Sequence, residues 1–112
     1  MSSPAGRTSP SHPDAPGPVE LTAASQKFLK ALANPTRQRI MLLFFRGAEL
    51  SVGEVAERAG VGQPTASVHL DQLREGGILT SRRSGKSVLY RSDHTGISRA
   101  LVDLQAYLEV CC

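Results

Sequence analysis

The sequence predicts a mainly α-helical fold with a small β-hairpin wing: a dimeric winged helix-turn-helix of about five helices and two strands. Two observations carry this prediction. Residues 50–77 combine a helix start, a tight turn and a second helix. Residues 79–91 then read as two short alternating strands around a glycine-containing turn.

The chain divides into a tail and one domain. Residues 1–20 hold five of the seven prolines and almost no apolar side chains. Such a segment cannot bury enough surface to offset the entropy of ordering it, so we predict a disordered tail. Residues 21–112 are predicted to form a single domain, since the whole chain of 112 residues has room for only one.

Composition argues against a membrane or secreted protein. The chain has no run of about 18 apolar residues that would span a membrane, and no basic start followed by an apolar segment that would act as a signal peptide. The two cysteines are adjacent at the very end, so they cannot form a disulfide framework. These features predict a protein of the reducing cytoplasm.

Two helices are expected before the helix-turn-helix. Apolar residues recur at helical spacing from Leu21 to Leu32, and Thr22 or a residue near it is the expected N-cap of this helix. Asn34 then serves as an N-cap and Pro35 as the first residue of a second helix. The apolar residues of this second helix fall on more than one face, so it is predicted to be the central core helix, ending at Gly47.

The helix-turn-helix itself is marked by helix starts and stops. Ser51 and Glu54 form a capping box, in which each side chain serves a backbone N–H of the other residue. Gly60 supplies the left-handed residue that ends this helix. The next helix begins at Gln63–Pro64 and stops at Gly76–Gly77.

The second of these two helices is the predicted recognition helix. Ala66, Leu70 and Leu73 share one face and should pack on the core. The other faces carry mostly short polar side chains, which hydrogen-bond base edges and phosphates, although an ordinary solvated helix face would look similar. The residues of this helix predicted to contact DNA are Gln63, Thr65, Ser67, Val68 and His69.

Charge is concentrated in the recognition helix and the hairpin. Residues 62–91 hold five Lys and Arg against two acids, an excess of three that equals the net charge of +3 of the whole chain. This is the electrostatic footprint expected of phosphate binding. Arg37 and Arg39, in the second helix, either reach phosphates or are ordinary solvated surface. The wing residues predicted to contact DNA are Arg82, Arg83, Lys86 and Arg91.

The last helix is predicted over residues 93–110. Ile97, Leu101, Leu104 and Leu108 form an apolar stripe that is wider than a small domain needs for its own core. The stripe packs either on its own core alone or also on a second copy, together with the first helix. We favour the dimer, because a dimer recognises two half-sites where a single small winged helix would bind weakly.

Three segments resemble one known family. Residues 31–43, 61–79 and 82–91 resemble the second helix, the recognition helix and the wing of the ArsR/SmtB repressors. The resemblance covers about residues 22–110. It implies a homodimeric, cytoplasmic transcription factor of bacterial or archaeal type, a repressor that binds a palindromic DNA operator and leaves it when a metal or other effector binds.

The effector sites of that family are incompletely present. Arsenic-responsive members carry a Cys-x-Cys at the start of the third helix, where this chain has Ser51–Gly53, so that thiol site is absent. Zinc- and nickel-type members carry Asp-x-His-x10-His-x2-Glu in the last helix, shared between subunits. Asp93 and Glu109 match that pattern, but Thr95 and Ala106 stand in place of the histidines.

Three alternatives for the effector stay open. Cys111 and Cys112 suit arsenite or another soft ion, although the negative end of the helix should raise their thiol pKa. Asp93, His94 and Glu109 could instead bind nickel or zinc across the dimer axis. In the third alternative the chain senses no metal directly and a partner protein controls it.

The chain carries no motif of catalysis: it lacks a nucleophile elbow, a phosphate-binding loop, a dinucleotide fingerprint and a zinc-protease motif. We therefore expect no enzyme but a sequence-specific DNA-binding regulator, a repressor tuned by a metal or metalloid ion. The alternatives are a metal-insensitive or partner-controlled regulator, which could be an activator, and a protein-interaction module that merely retains the fold.

Overall fold

The computed structural model describes residues 20–112, which form five α-helices and one three-stranded antiparallel sheet. Apart from its last residue, the tail predicted for residues 1–20 lies outside the described residues. The elements in chain order are α1 (Ala23–Leu32), α2 (Pro35–Leu42), a 3-10 turn (Phe45–Gly47), β1 (Leu50–Ser51), α3 (Val52–Ala59), α4 (Gln63–Glu75), β2 (Leu79–Ser84), β3 (Ser87–Ser92) and α5 (His94–Cys111).

The sheet has one strand more than the sequence predicts. β1 pairs antiparallel with β3, so that Leu50 lies opposite Tyr90 and Ser51 opposite Leu89. The strand order is β1-β3-β2. The two predicted strands, β2 and β3, are confirmed. β1 was missed because a strand of two residues is too short to show alternation and exists only through its pairing with β3.

The predicted helix starts are confirmed. The side chains of Thr22 and Asn34 accept hydrogen bonds from backbone N–H groups in the first turns of α1 and α2. The capping box of Ser51 and Glu54 is present in both directions. Gly60 ends α3 with a φ of 69°, a conformation that glycine adopts without steric cost.

The second helix ends earlier than predicted. α2 stops at Leu42, and the chain then forms the 3-10 turn that ends at Gly47. Within that turn Arg46 has a φ of 58°, a left-handed conformation that cannot continue an α-helix. The hydrophobic core continues past the end of α2. Phe44 lies outside any α-helix, yet it is only 2% exposed.

The core lies between the helices and the inner face of the sheet. The predicted anchors of α4, Ala66, Leu70 and Leu73, are fully buried, which confirms their assignment. The other buried hydrophobic residues are Phe28, Ala31, Ile40, Phe44, Leu50, Val55, Ala56, Ile78, Leu79, Tyr90 and Ala100.

The first turns of α5 are held closely against the turn that follows α4. The backbone N–H of Asp93 donates to the carbonyl oxygen of Ile78 over 2.8 Å. A Cβ at Gly96 would lie only 2.3 Å from the carbonyl oxygen of Gly77, so no larger residue fits at position 96 without a backbone shift. α5 is thereby fixed at its start, while its later residues extend from the domain. No helix within residues 20–112 is long and apolar enough to cross a membrane.

Candidate nucleic-acid interface

The predicted contact residues on the recognition helix α4 differ in their exposure to solvent. Gln63, Thr65 and Val68 are exposed, with Val68 at 56%, while Ser67 and His69 are half-buried beside the anchored face. The N-cap residue of α4 provides no side chain to the first backbone N–H groups. These donors are therefore open to an anion at this end of the helix.

The turn before α4 fixes the helix relative to α3. The backbone N–H of Val61 donates to the carbonyl oxygen of Ala56 over 3.0 Å, directly after the left-handed Gly60. The side-chain amide of Gln63 lies over the start of α3, 3.4 Å from where a Cβ at Gly53 would stand. Thr65 and Val68 are left on the outer surface of the helix-turn-helix.

His69 does not face solvent freely. Its Nδ1 lies 3.3 Å from Nη1 of Arg37, which is only 8% exposed. The sequence interpretation of Arg37 as either a phosphate contact or solvated surface was wrong, because the guanidinium is buried and donates to the carbonyl oxygens of Ala31 and Lys30. The pairing spans 32 positions of the chain, and no local pattern in the sequence reveals it.

The wing is the hairpin of β2 and β3. Ser84 pairs with Ser87, so Gly85 and Lys86 form a two-residue turn at the tip, with a φ of 60° at Gly85. Since side chains alternate between the faces of a strand, Arg83 shares a face with the buried Leu79 but lies close to the tip, where it is exposed.

The other two wing arginines occupy the opposite face of the sheet. Arg91 lies directly across from Thr80, and Thr80 and Arg82 share a face of β2. The four basic residues of the predicted contact set are therefore divided. Arg83 and Lys86 stand at the tip, whereas Arg82 and Arg91 lie on the outer face of the sheet.

Arg82 is already engaged within the chain. Its Nε and Nη2 donate to the two carboxylate oxygens of Glu49, over 2.7 and 2.9 Å. The hydrogen bonds from Arg82 hold the pKa of Glu49 below its usual value, and those to Glu49 raise the pKa of Arg82. Sequence reasoning missed Glu49, because β1 brings it to the wing from 33 positions away.

The candidate nickel or zinc ligands of α5 are far apart within one chain. The Asp93 carboxylate accepts the backbone N–H of Gly96 over 3.0 Å and so acts as the N-cap of α5. His94 and Glu109 are both exposed. Asp93 and Glu109 lie sixteen helical positions apart, which corresponds to a rise of about 24 Å along α5. Within residues 20–112, no group of three or more His, Cys, Asp or Glu side chains could hold a metal ion.

The two cysteines lie together at the exposed end of α5. The Sγ of Cys111 donates to the carbonyl oxygen of Leu108 over 3.6 Å. A hydrogen bond with Cys112 raises the pKa of the Cys111 thiol above its ordinary value, as does burial to a lesser degree. The upward direction expected from the sequence holds for Cys111, but its largest cause is the neighbouring thiol and not the helix end.

These features define the class of the protein. A capped helix pair presents the outer face of its second helix beside a basic hairpin, which is the arrangement of a winged helix-turn-helix that binds DNA. A family profile described as a helix-turn-helix domain matches residues 32–82.

Two curated relatives narrow this class. The chain is 37% identical over 93 residues to the HTH-type transcriptional repressor SmtB of Mycobacterium tuberculosis, a match that covers 83% of this chain and 68% of the relative. It is 50% identical over 62 residues to an arsenic resistance transcriptional regulator of Pseudomonas putida, covering 55% of this chain and 48% of that protein.

A solved structure agrees with the fold. The homodimeric winged helix-turn-helix DNA-binding domain of a possible ArsR-family regulator from Mycobacterium bovis matches with a TM-score of 0.62 and 30% identity. The match covers 77% of this chain and 79% of that domain. The chain belongs to the ArsR/SmtB family of winged helix-turn-helix transcriptional regulators, and it is a DNA-binding regulator rather than an enzyme.

Proposed function

We propose that this protein is a homodimeric repressor that binds a palindromic operator and releases it when a soft metal or metalloid ion binds. The observation that carries the DNA part is the placement of the exposed outer face of α4, with Thr65 and Val68, on the same small domain as a basic wing tip. In this arrangement α4 enters the major groove, and the wing lies along the neighbouring backbone.

The phosphate contacts of the wing are assigned to Arg83 and Lys86. Both are exposed, and neither takes part in an ion pair within residues 20–112. Arg82 forms an ion pair with Glu49, so its charge is already compensated and contributes less to the attraction of DNA. Arg91 stands on the same outer face as Arg82 but opposite Thr80, at the base of the hairpin and away from its tip.

We expect the Arg83→Ala/Lys86→Ala protein to bind every duplex more weakly and with less dependence on salt. The slope of log affinity against log salt falls by about 0.9 for each lost phosphate contact, or about 3.6 for the four such contacts of a dimer. Fluorescence anisotropy of a labelled duplex at several salt concentrations measures this slope.

Arg82→Ala is the matched control for this prediction, because it also removes one wing arginine. We expect it to leave the slope nearly unchanged, since Arg82 donates to both oxygens of Glu49. If the slope falls as much for Arg82→Ala as for each tip residue, the assignment of the contacts to the tip is wrong.

The dimer is supported by apolar side chains on α5. Leu101 and Leu108 are 53% and 56% exposed, and they lie next to the half-buried Leu104 on the face of the helix that packs on the core. Exposed apolar side chains that continue a core stripe are typical of a protein interface. The Mycobacterium bovis domain is a homodimer, which supports the same assembly here. Leu101 and Leu108 together form the proposed α5 seam.

The ion-binding part of the proposal places the effector at Cys111 and Cys112. Thiols are the ligands that soft ions prefer, and these two are exposed neighbours at the end of α5. Two thiols supply only part of the coordination of such an ion. The remaining ligands are therefore groups already bound to the ion in solution or side chains of the second chain. The Pseudomonas putida relative is named for arsenic resistance, which supports a thiophilic ion.

We expect the Cys111→Ser/Cys112→Ser protein to fold and to bind the operator normally, but arsenite no longer releases it. Both residues are exposed beyond the apolar stripe, so their replacement removes no core packing. Titration of arsenite into the protein–operator complex, followed by anisotropy, measures the release.

His94→Ala is the control for the choice of ligands. We expect it to keep the arsenite response of the parent protein. Nickel or zinc could instead release the parent protein and the double serine variant but not His94→Ala. That result would replace the thiol site by the one formed by Asp93, His94 and Glu109 across the dimer axis. If no ion releases any of these proteins, control by a partner protein becomes the better assignment.

A further inference from the structure

One positively charged side chain is buried in the domain without a carboxylate. Arg37 is 8% exposed, and neither of the two ion pairs within residues 20–112 includes it. A buried charge is costly unless hydrogen bonds replace the lost water. All three nitrogens of the Arg37 guanidinium accordingly have acceptors.

Two of these acceptors belong to the end of α1. Nε donates to the carbonyl oxygen of Ala31 and Nη2 to that of Lys30, each over 2.9 Å. The last carbonyls of a helix have no partner inside it and carry the negative end of its dipole. The guanidinium is therefore both stabilised and fixed in orientation, and the direction of its third nitrogen is set.

That third nitrogen, Nη1, determines which nitrogen of the His69 ring carries the proton. Nη1 of Arg37 lies 3.3 Å from Nδ1 of His69. Since a guanidinium only donates, Nδ1 must accept, and the proton of the neutral ring is on Nε2. Burial, and then the charge of Arg37, lower the pKa of His69 and favour this neutral form. The two ring nitrogens point in divergent directions, so Nε2–H points away from Arg37.

We propose that Arg37 is a positioning residue of the recognition helix, which holds His69 so that its Nε2–H donates to a DNA phosphate oxygen. This inference rests on the proposed function. His69 precedes the fully buried Leu70 and is itself half-buried, so it borders the anchored face of α4 rather than its outermost face. A side chain there meets the edge of the groove, where the phosphates lie, and phosphate contacts fix the register of a helix on the duplex.

Two substitutions of His69 test separately the hydrogen bonds made by Nδ1 and by Nε2. In His69→Asn the amide oxygen takes the place of Nδ1 and keeps the bond from Arg37, but no group stands at the position of Nε2. In His69→Gln the amide nitrogen stands near the position of Nε2 and keeps the donor. We expect His69→Asn to melt like the parent protein and to lose at least about tenfold in affinity, as for a hydrogen bond to a charged group. His69→Gln should retain more of the affinity.

The role of Arg37 is tested by Arg37→Lys and by nitrogen NMR of the His69 ring. Lysine keeps the charge but cannot supply the three divergent donors. We expect the parent ring to carry its proton on Nε2 alone, and the Arg37→Lys ring to show a mixture of tautomers. The Arg37→Lys/His69→Asn protein should bind no more weakly than His69→Asn, because both changes remove the same phosphate contact. If Arg37→Lys does not fold, the parent spectrum and the two His69 variants still decide the proposal.

The outcomes distinguish this proposal from the one on which it rests. Equal loss on an operator and on a scrambled duplex supports a phosphate contact, whereas a loss confined to the operator overturns it in favour of a base contact. If the parent protein binds DNA and His69→Asn binds equally well, the proposal for Arg37 and His69 is wrong but the proposed function stands. The same conclusion follows if the His69 ring of the parent carries its proton on Nδ1. A parent that binds no duplex overturns the proposed function as well.

Discussion

We expect the Leu101→Glu/Leu108→Glu protein to be a monomer that binds a palindromic operator about 10²–10⁴-fold more weakly than the parent protein, since linking two binding modules raises avidity by about this factor. In the parent, Leu101 and Leu108 are exposed on α5, and in the proposed dimer a second copy covers them. A carboxylate at each position would be desolvated without a partner in the dimer. Analytical ultracentrifugation gives the assembly and anisotropy gives the affinity.

Val102→Glu is the matched control for this substitution. Val102 is 63% exposed, lies on the same helix and gains one carboxylate, the charge that each of the two seam positions receives. It is turned by about 100° from Leu101, away from the α5 seam. We expect it to remain dimeric and to bind DNA like the parent. A parent protein that sediments as a monomer at micromolar concentration would show that α5 is not a seam between copies.

The second large effect is expected at Thr65. This residue is exposed on α4, in the first turn of the recognition helix. Thr65→Glu places a carboxylate against the phosphates and base edges of the groove. Like charges brought together in an interface cost several kcal/mol, so we expect the operator affinity to fall by about 10²-fold or more, with the melting temperature unchanged.

Ser98→Glu controls for the added charge alone. Ser98 is exposed on α5, outside the helix-turn-helix, and gains the same carboxylate. We expect its effect on operator binding to be small by comparison. Equal binding by Thr65→Glu and the parent would mean that α4 does not enter the groove, even if DNA binding itself persists.

The sequence predicted the parts of the fold that depend on neighbouring residues. The caps at Thr22, Asn34 and Ser51 need only a side chain and a backbone N–H three positions away. The buried face of α4 follows from helical spacing alone, and Leu70 and Leu73 are fully buried as predicted. Such features are visible in any short window of the chain.

The features that sequence reasoning missed are pairings between distant segments. β1 forms only because β3 lies beside it, and that same pairing brings Glu49 to Arg82. Arg37 and His69 lie 32 positions apart and belong to different helices. A residue pattern shows that an arginine is present but not which acceptor it meets, so two of the basic residues first considered for phosphate binding are engaged within the chain.

The effector site could be predicted least, because the proposed site depends on groups outside one chain. Asp93 and Glu109 match a family pattern, yet a single α5 holds them at opposite ends. Cys111 and Cys112 supply two soft ligands, too few to specify an ion by themselves. In the proposed dimer, the geometry that selects the ion arises where two α5 helices meet.

Binding of the parent protein to DNA tests the central claim most directly. A palindromic duplex enriched by the protein from a random pool is compared with a scrambled duplex by anisotropy at several salt concentrations. We expect two chains per palindromic duplex, an affinity at least about 10³-fold above that for the scrambled duplex, and a steep decline of both affinities with salt. Equal affinity for the two duplexes, or binding that does not change with salt, would contradict the assignment of this protein as a sequence-specific DNA-binding regulator.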